Sequence, residues 1–398
     1  MKIGIAGPIN PYELRDYLYK DQKILTINKG ATAVNTYVKE LLRKGHSVIV
    51  FTSEVPSDER DSYVLEGEKL RIHVICSKPR MFITHALSRF YMVGRLKRVI
   101  RRNINDIYIL HAQWTYDFAY AAMAFTDMLP VFCTVRDWCP YIISVQKGIK
   151  KIQWMLYYFQ FYRVMKNPRL KFVANSEYTK DCIEKSFKIS DVPVIYNPID
   201  KNLILKEKKY EISNPVFISI ASSAFEKRKN IPKLLEAFKL FHANHCNSVL
   251  KLVGSGFASD NPLMIKYKDM GLLDGVELCG YKSHDELVEE IDQSTCLIHP
   301  SLEETFGNIL IEGMARCVPV IGGNKSGAVP KVLGDGEWGF LCDITSVYSI
   351  NDSMEEVCQN EELSREKVRK ATEVISMKYG SESIANQHIE LYTKYLLG

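Results

Sequence analysis

The sequence predicts an α/β protein with two doubly wound parallel-sheet domains, and three observations lead to this prediction. The chain has 398 residues, which is more than a single hydrophobic core usually supports. Short apolar segments alternate with amphipathic segments along most of it, as in parallel sheets covered by helices. Residues 198–214 are charged and flanked by prolines, as an interdomain linker would be. We therefore predict a domain over 1–200, a linker over 201–214 and a second domain over 215–380.

The predicted strands follow from short apolar runs bounded by turn residues. In the first half they are Ile3–Ala6, Ser47–Thr52, Arg71–Ile75, Ile107–His111, Val131–Val135, Phe172–Ala174 and Val194–Ile195. In the second half they are Val216–Ile220, Ser248–Val253, Val276–Leu278, Thr295–His299 and Val318–Ile321. Ligands of such sheets bind beyond the carboxyl ends of the strands, so residues there are the first candidates for function.

Composition excludes several classes of protein. The chain is 46% hydrophobic and 25% charged, which is ordinary for a globular protein, and no run of 18 apolar residues predicts a transmembrane helix. The opening MKIGIAGPIN is typical of a buried strand rather than of a signal peptide. Ten scattered cysteines without a C-x-x-C pair indicate reduced thiols of a cytoplasmic protein. The nine histidines do not cluster with cysteines, so no metal site is expected.

The charge is distributed unevenly between the two halves. Residues 1–200 contain 30 basic and 19 acidic residues, a net charge of +11, whereas the remainder has a net charge of −6. Two stretches contain no acid, between Glu68 and Asp106 and between Asp137 and Glu177, and both mix basic with aromatic residues. The basic residues include Lys97, Arg98, Arg101 and Arg102 in the first stretch and Lys147, Lys150, Lys151 and Arg163 in the second.

Three interpretations of these stretches are open. Basic and aromatic residues together suit an anionic membrane surface, and they also suit nucleic acid. An ordinary helix with a solvated basic face would give the same pattern. We favour the membrane surface, and we expect no nucleic acid partner because no recognisable nucleic-acid module accompanies the charge.

Residues 301–323 hold the strongest functional pattern, SLEETFGNILIEGMARCVPVIGG. Glu304 and Glu312 stand eight positions apart, with Phe306, Gly307 and Asn308 between them. The stretch reads as a loop, a helix and a strand. A glycine lets the backbone turn close to a ligand, and the free N–H groups at a helix start suit a diphosphate. The alternative is a solvated helix with two unrelated glutamates.

This stretch resembles the E-x7-E motif of retaining glycosyltransferases of family 4, which have the GT-B fold. The resemblance implies two Rossmann-like domains facing a central cleft, with a C-terminal helix, here 381–398, packing back on the N-terminal domain. It further implies that Glu312 binds the ribose of a nucleotide sugar and that Glu304 contacts the donor sugar. The backbone around Phe306, Gly307 and Asn308 would hold the diphosphate.

Other segments extend the resemblance to most of the chain. The loop 222–230 is similar to the family loop whose Arg and Lys bind the donor diphosphate. Lys229 keeps the lysine position, and Arg228 is the local substitute for the arginine. Gly254 matches a strand-end glycine turn of the family, and Tyr281 is a candidate for contact with the base.

The N-terminal half supplies three further candidates. Gly30 lies in a segment similar to the family's glycine loop, and His111 ends a predicted strand, where we expect contact with substrate. Arg136 stands where the family usually has a catalytic histidine. An arginine cannot act as an acid or base at neutral pH, but it binds phosphate or carboxylate bidentately. We therefore expect Arg136 to bind an acidic acceptor, or a neighbour such as His111 to replace the missing histidine.

The resemblance implies transfer of a hexosyl residue from a nucleotide-diphosphate sugar with retention of configuration. The chain has no Asp-x-Asp, so we expect neither a metal nor another cofactor. The expected acceptor is a lipid-linked glycan in the synthesis of a cell-surface polysaccharide such as capsule or O-antigen. The protein would then be cytoplasmic and peripheral on the inner face of the cell membrane.

Three alternatives to a transferase remain at this point. A GT-B sugar-nucleotide epimerase would share the fold and the donor, and a catalytically inactive protein would bind the nucleotide sugar only. An NAD-dependent oxidoreductase would need a glycine fingerprint that this sequence does not contain.

Overall fold

The structure is a computed structural model that describes residues 1–27, 31–54, 61–76, 82–208, 214–221 and 226–397, with the backbone alone for residues 82–89. The chain divides into two compact units. The first unit comprises Met1–Pro198 and Ser381–Gly398, and the second comprises Ile199–Gly380. The N-terminal unit is thus completed by a segment from the other end of the sequence.

The first unit is built on a twisted sheet. Its strands are β1 (Lys2–Ala6), β2 (Ser47–Glu54), β3 (Tyr63–Glu66), β4 (Leu70–Cys76), β5 (Ile109–Ala112), β6 (Val131–Val135) and β7 (Lys171–Ala174). Their order is β3-β4-β2-β1-β5-β6-β7, and every pair is parallel except β3 with β4. The carboxyl ends of β1, β5 and β6 therefore lie side by side, so the residues that follow them are brought together.

Helices cover both faces of this sheet, and a buried apolar cluster lies on each face. The helices are α1 (Thr32–Arg43), α2 (Phe82–Asn103), α3 (Asp117–Ala122), α4 (Cys139–Val145), α5 (Gly148–Met165), α6 (Glu177–Phe187) and, from the C-terminal segment, α14 (Ser381–Leu397). Ile384, Ala385 and Tyr392 of α14 belong to the cluster that also contains residues of β1, β2 and α1. The core of the first unit thus depends on α14.

The second unit has a parallel sheet in the order β10-β9-β8-β11-β12-β13. Its strands are β8 (Val216–Ile220), β9 (Val249–Val253), β10 (Val276–Gly280), β11 (Cys296–His299), β12 (Val320–Gly323) and β13 (Phe340–Cys342). Its helices are α7 (Ile231–Asn244), α8 (Pro262–Asp269), α9 (His284–Asp292), α10 (Asn308–Ala315), α11 (Val329–Val332), α12 (Val347–Gln359) and α13 (Glu361–Tyr379).

Local sequence explains where several of these helices begin. Ser283 and Glu286 form a capping box at α9, in which the Ser283 hydroxyl accepts from the Glu286 N–H and the Glu286 carboxylate accepts from the Ser283 N–H. Pro232 stands in the first turn of α7, where the missing N–H costs nothing. The side chain of Asn261 caps α8 by accepting from the Leu263 N–H.

Part of the segment predicted as a linker packs within the second unit. The Leu205 N–H donates to the carbonyl of Ala315 at 2.8 Å. The Lys208 ammonium donates to the carbonyls of Ile291 and Ser294 at 3.3 and 2.7 Å. Because the half-buried ammonium is partly removed from water, the pKa of Lys208 is lowered to about 8.

The predicted fold class is confirmed, and the differences lie at short elements. Val194–Ile195 contributes a single parallel bridge to Ala174 rather than a strand, because Pro193 and Pro198 on either side lack the N–H groups of a ladder. The edge strands β3 and β13 were not predicted, since four and three residues give too little pattern to read.

Two further predictions concern cysteines and membranes. The ten cysteines all lie in the part of the chain that the structure describes and are thiols rather than disulfides, and six of them are buried. Among the described helices, none combines the length and the apolar composition needed to cross a bilayer.

Candidate functional site

The predicted motif folds as a loop, a helix and a strand in the second unit. After β11 the chain passes through Glu304, whose carbonyl accepts from the Ala328 N–H at 2.8 Å. Gly307 then adopts a left-handed conformation with φ +84°, and α10 begins at the next residue. A Cβ on Gly307 would lie 2.9 Å from the Leu310 side chain, so any other residue would be strained here. The glycine thereby fixes the direction in which α10 starts.

Glu304 is the centre of a buried ionic cluster. Its carboxylate lies 2.7 Å from the Lys229 ammonium and 3.4 Å from the Arg228 guanidinium. The Nε2 atom of His299 lies 3.1 Å from the same carboxylate. Burial raises the pKa of Glu304, but Lys229, His299 and Arg228 together outweigh burial and hold it well below its usual value. Glu304 is therefore a carboxylate at neutral pH.

Arg228 and Lys229 come from a single 3-10 turn that precedes α7. The Arg228 carbonyl accepts from the Leu302 N–H at 2.8 Å, which ties this turn to the loop before α10. The Arg228 guanidinium also donates to the Glu303 carbonyl at 3.2 Å and lies 3.4 Å from the Glu226 carboxylate. The structure thus brings the two predicted diphosphate ligands onto the first glutamate of the motif.

His299 and Glu303 belong to this cluster although sequence reasoning missed both. His299 is the last residue of β11, and Glu303 is buried with its carboxylate 4.0 Å from Arg228. Burial lowers the pKa of His299, while Glu304 raises it and the two cations lower it further. The position of His299 could have identified it, because the last residue of a parallel strand lies at the edge of the sheet where ligands bind.

Glu312, the second glutamate of the motif, has different neighbours. It lies in α10 and is 7% exposed. Its carboxylate is 3.9 Å from Nε2 of His284, the first residue of α9. The two glutamates therefore offer separate acceptor groups, one in the loop before α10 and one within the helix.

The remaining candidates for donor binding differ in burial and in the part of their structure that a ligand could contact. Phe306 is buried, and its ring packs edge-on against Tyr379 at 5.7 Å, so only its backbone is available to a ligand. Asn308 is the first residue of α10. Gly254 has φ +144°, and a Cβ there would fall 1.8 Å from the carbonyl oxygen of Ala221. The ends of β8 and β9 therefore approach each other so closely that position 254 requires a glycine.

Tyr281 and Gly30 complete the donor-side candidates. Tyr281 follows β10 and is 49% exposed, so it can offer its ring to a ligand. Gly30 lies outside the described residues.

Arg136, which follows β6 in the first unit, is held by two side-chain amides. One terminal nitrogen donates to the side-chain oxygen of Asn197 and the other to that of Gln113 at 2.6 Å. The neighbouring carboxylate of Asp137 accepts from the Trp114 indole N–H at 2.5 Å. Burial lowers the pKa of Arg136 to about 10, so it remains a cation at neutral pH.

His111 is placed differently from our expectation. It is fully buried, and its Nδ1 and Nε2 atoms lie 2.5 and 2.8 Å from the hydroxyls of Tyr392 and Thr134. Burial, together with nearby His388 and Arg136, holds the pKa of His111 well below its usual value. Its ring offers no surface to a substrate, and we assign it a structural role.

Comparison with known proteins matches both halves of the chain to glycosyltransferase family models. The family model described as Glycosyl transferases group 1 matches residues 205–374, and the model described as Glycosyltransferase Family 4 matches residues 30–203. Together these two regions include every predicted site residue.

Three individual proteins illustrate the similarity. The chain is 30% identical over 208 residues to N-acetyl-alpha-D-glucosaminyl L-malate synthase of Bacillus anthracis, covering 51% of this chain and 53% of that one. It is 26% identical over 231 residues to N-acetylgalactosamine-N,N'-diacetylbacillosaminyl-diphospho-undecaprenol 4-alpha-N-acetylgalactosaminyltransferase of Campylobacter jejuni, covering 57% and 60%. The structure of Anabaena HepE in complex with UDP-glucose aligns over 99% of this chain and 100% of that one, with 15% identity and a TM-score of 0.66. The chain spans a little over half the length of these two curated relatives.

Proposed function

Because the chain belongs to glycosyltransferase family 4 and has the GT-B fold, we propose that it transfers a hexosyl residue from a nucleotide-diphosphate sugar to a glycan acceptor with retention of configuration. The observation that carries the proposal is the cluster of Glu304, Lys229 and Arg228 beside the start of α10, with Glu312 further along the same helix. The UDP-glucose bound by HepE, a protein of the same fold, agrees with a donor of this class.

The chemistry of the cluster suits a sugar diphosphate. Lys229 and Arg228 are cations that a diphosphate would attract away from Glu304, and N–H groups at the start of α10 would add hydrogen bonds. Cations aimed at the diphosphate favour the leaving group as the glycosidic bond to the donor breaks. Glu304, freed from part of its cationic partners, would accept hydrogen bonds from donor sugar hydroxyls, and Glu312 would accept them from the ribose.

The same cluster leads us to propose that no divalent metal is required. Two fixed positive charges already stand where a metal would otherwise neutralise the diphosphate. Turnover with a chelator present should then equal turnover without it. Loss of turnover in the chelator, with recovery on adding Mg²⁺ or Mn²⁺, would contradict this part of the proposal.

The acceptor would be anionic and lipid-linked. Arg136 is oriented by Gln113 and Asn197, and its charge suits a phosphate or a carboxylate on the acceptor. A diphospho-undecaprenol acceptor is part of the name of the Campylobacter relative, which agrees with this chemistry.

A face of α5 supports a membrane-bound acceptor. Apolar side chains recur there at helical spacing and are 43–63% exposed, namely Ile152, Met155, Phe159 and Tyr162. Exposed Lys150, Lys151, Arg163 and Lys166 flank them. A helix that exposes apolar residues among cations suits an anionic bilayer surface, which takes up the apolar groups and attracts the charges. The protein would then act on the inner face of the cell membrane.

The donor is tested first by thermal unfolding with UDP, GDP, ADP, CMP and dTDP at about 1 mM each. A ligand at 100 times its Kd adds about 2.7 kcal/mol, which raises Tm by a few degrees in a protein of this size. One nucleotide should raise Tm in the wild type and in the exposed control Glu289→Gln, but much less in Glu312→Gln. No rise with any nucleotide would overturn the proposed function.

Membrane binding is tested with vesicles that contain phosphatidylglycerol. The triple variant Lys150→Gln, Lys151→Gln, Arg163→Gln should bind much more weakly, since each basic residue near an anionic surface contributes about 1 kcal/mol. The control Lys239→Gln, Lys266→Gln, Lys268→Gln removes the same charge from the second unit. Equal binding of both triple variants would argue against this surface.

A further inference from the structure

His299 shares one carboxylate oxygen of Glu304 with Lys229. The His299 Nε2 atom and the Lys229 ammonium lie 3.1 and 2.7 Å from the same Oε1 atom, while the other oxygen, Oε2, faces Arg228 at 3.4 Å. His299 is 3% exposed. Glu304 is thus held from two elements, the end of β11 and the turn before α7.

The charges of this cluster nearly cancel before any ligand binds. Arg228 and Lys229 supply two positive charges. Glu304 faces both of them, and Glu226 and Glu303 face Arg228 at 3.4 and 4.0 Å. With a neutral imidazole at His299, the cluster therefore has one more negative than positive charge. A sugar diphosphate would add about two more negative charges without adding a cation.

We propose that His299 is a positioning residue that takes up a proton when the donor diphosphate binds and so holds Glu304 in place once the diphosphate has attracted Lys229 and Arg228. This inference rests on the proposed function, because it needs a diphosphate at these two cations. The proton comes from solvent. Since Nε2 donates to Glu304, the added proton goes to Nδ1, and no other bond forms or breaks.

The electrostatics give the direction of the effect. In the ligand-free protein burial keeps the pKa of His299 low, Glu304 raises it, and Lys229 and Arg228 lower it. A diphosphate cancels the influence of the two cations and adds negative charge, so the pKa of His299 rises in the complex. Glu304 then keeps a charged partner when its lysine has moved to the phosphate.

A second histidine supplies a matched control. His245 also faces a carboxylate, with Nε2 2.9 Å from Glu355. It follows the C-terminal end of α7, whereas Lys229 lies just before the N-terminal end. A helix of 14 residues separates the two by about 20 Å, so the diphosphate should leave His245 unaffected.

The test is calorimetric titration of the full chain in two buffers of different ionisation enthalpy, PIPES and bis-Tris, at about pH 6.5, near the ordinary pKa of histidine. The ligand is the nucleotide sugar whose base stabilises the protein, because its diphosphate diester does not titrate in this range. Wild type and His245→Gln should take up on the order of half to one proton per ligand. Their affinity should fall by up to about tenfold per pH unit as the pH rises. His299→Gln should bind with a proton uptake near zero.

Each other outcome has a defined meaning. Binding to wild type without proton uptake overturns the inference and leaves the proposed function intact, and uptake that persists in His299→Gln assigns the proton to another group. No binding of any nucleotide sugar overturns the proposed function and this inference with it. If His299→Gln does not fold, ring ¹⁵N shifts of His299 in the wild type, free and with ligand, decide the question. An unchanged ring overturns the inference.

Discussion

The two units both place a cation at the carboxyl ends of their strands, but they compensate it differently. In the second unit Lys229 and Arg228 face the buried carboxylate of Glu304. In the first unit Arg136 donates to the amide oxygens of Gln113 and Asn197, and the Asp137 carboxylate, which also acts on its charge, accepts from the Trp114 indole. A carboxylate cancels a positive charge and must be displaced or rearranged by an anionic ligand, whereas an amide orients a cation and leaves its charge in place.

This difference matches the two substrates that a transferase must treat differently. A leaving group needs charge stabilisation that grows as its bond breaks, which an ionic cluster supplies when its counter-ion gives way. An acceptor needs to be bound and oriented. We therefore expect the second-unit cluster to act mainly on kcat with the donor, and Arg136 to act mainly on KM for the acceptor.

The largest expected effect is that of Lys229→Gln. The variant removes the cation closest to Glu304 and one of the two that we propose bind the diphosphate, so kcat should fall by about 10²–10³-fold. Steady-state kinetics with saturating acceptor measure this, and the control is Lys233→Gln, which removes a partly exposed lysine of α7 that pairs with Glu236. A fall in kcat of less than tenfold would place the diphosphate elsewhere.

Arg136→Gln should have the next largest effect. Loss of a charge-assisted contact of about 1.5–3 kcal/mol should raise KM for an anionic acceptor by about 10–100-fold, with the rise of Tm in nucleotide unchanged. Arg136→Lys keeps the charge but loses the planar guanidinium that can bind an anion with two hydrogen bonds. Its KM for the acceptor should therefore lie between those of wild type and Arg136→Gln. If Arg136→Gln instead abolished stabilisation by nucleotide, the separation of roles between the units would be wrong.

Acid titration should affect His388 in the first unit and Glu304 in the second unit in different pH ranges. Burial lowers the pKa of His388 in the first unit from 6.5 to about 3, so only the unfolded chain binds this proton in that range. This histidine alone should lower the stability of the first unit by about 1.4 kcal/mol per pH unit on acidification below about pH 6.5, and His111, whose pKa is also held low, adds to the fall. Glu304 has a depressed pKa, so its contribution is present above about pH 4.5 and is lost only as the pH falls further.

Hydrogen exchange resolved along the chain measures the two windows separately. His388→Gln should reduce the pH dependence of the first unit between about pH 6.5 and pH 4.5 and leave the part that His111 contributes. Glu304→Gln should change that of the second unit only at more acidic pH. A first-unit profile that is the same in wild type and His388→Gln would contradict the assignment to His388.

The smallest expected effect is that of Tyr392→Phe. Its hydroxyl lies 2.6 Å from that of Tyr37 and 2.5 Å from His111, and all three groups are buried. The substitution should lower the free energy of unfolding by about 1–3 kcal/mol and leave nucleotide binding unchanged. Chemical denaturation measures the loss, with Tyr395→Phe on the more exposed side of α14 as the control. Equal stability of the two variants would show that these hydrogen bonds add nothing.

The sequence was most informative where local patterns decide the structure. Alternating apolar and amphipathic runs predicted the two parallel sheets, and Gly307 followed by an apolar helix predicted the turn into α10, since these features depend on neighbouring residues. The prediction of a strand at Val194–Ile195 was wrong, and the strands β3 and β13 were missed. Whether such a short segment at the edge of a sheet forms a strand depends more on its pairing partners than on its own sequence pattern.

The candidate site was harder to predict because its contacts span long stretches of the chain. The bond between Glu304 and Lys229 joins residues 75 positions apart, and sequence reasoning assigned both residues to the donor without pairing them. The burial of His111 depends on Tyr392, 281 positions away, which no local pattern contains. The proposed role of Arg136 stays a prediction, since it rests on the chemistry of the side chain and its two amide partners.

The return of α14 to the first unit has a consequence for how the protein is made. A ribosome finishes the first 198 residues and the whole second unit before it synthesises the helix that completes the first core. Until then the apolar surface around Tyr37 and Ile3 lacks the partners it has in the folded protein. The second unit can therefore mature first, while the nascent N-terminal half must wait in an aggregation-prone state or be shielded by a chaperone.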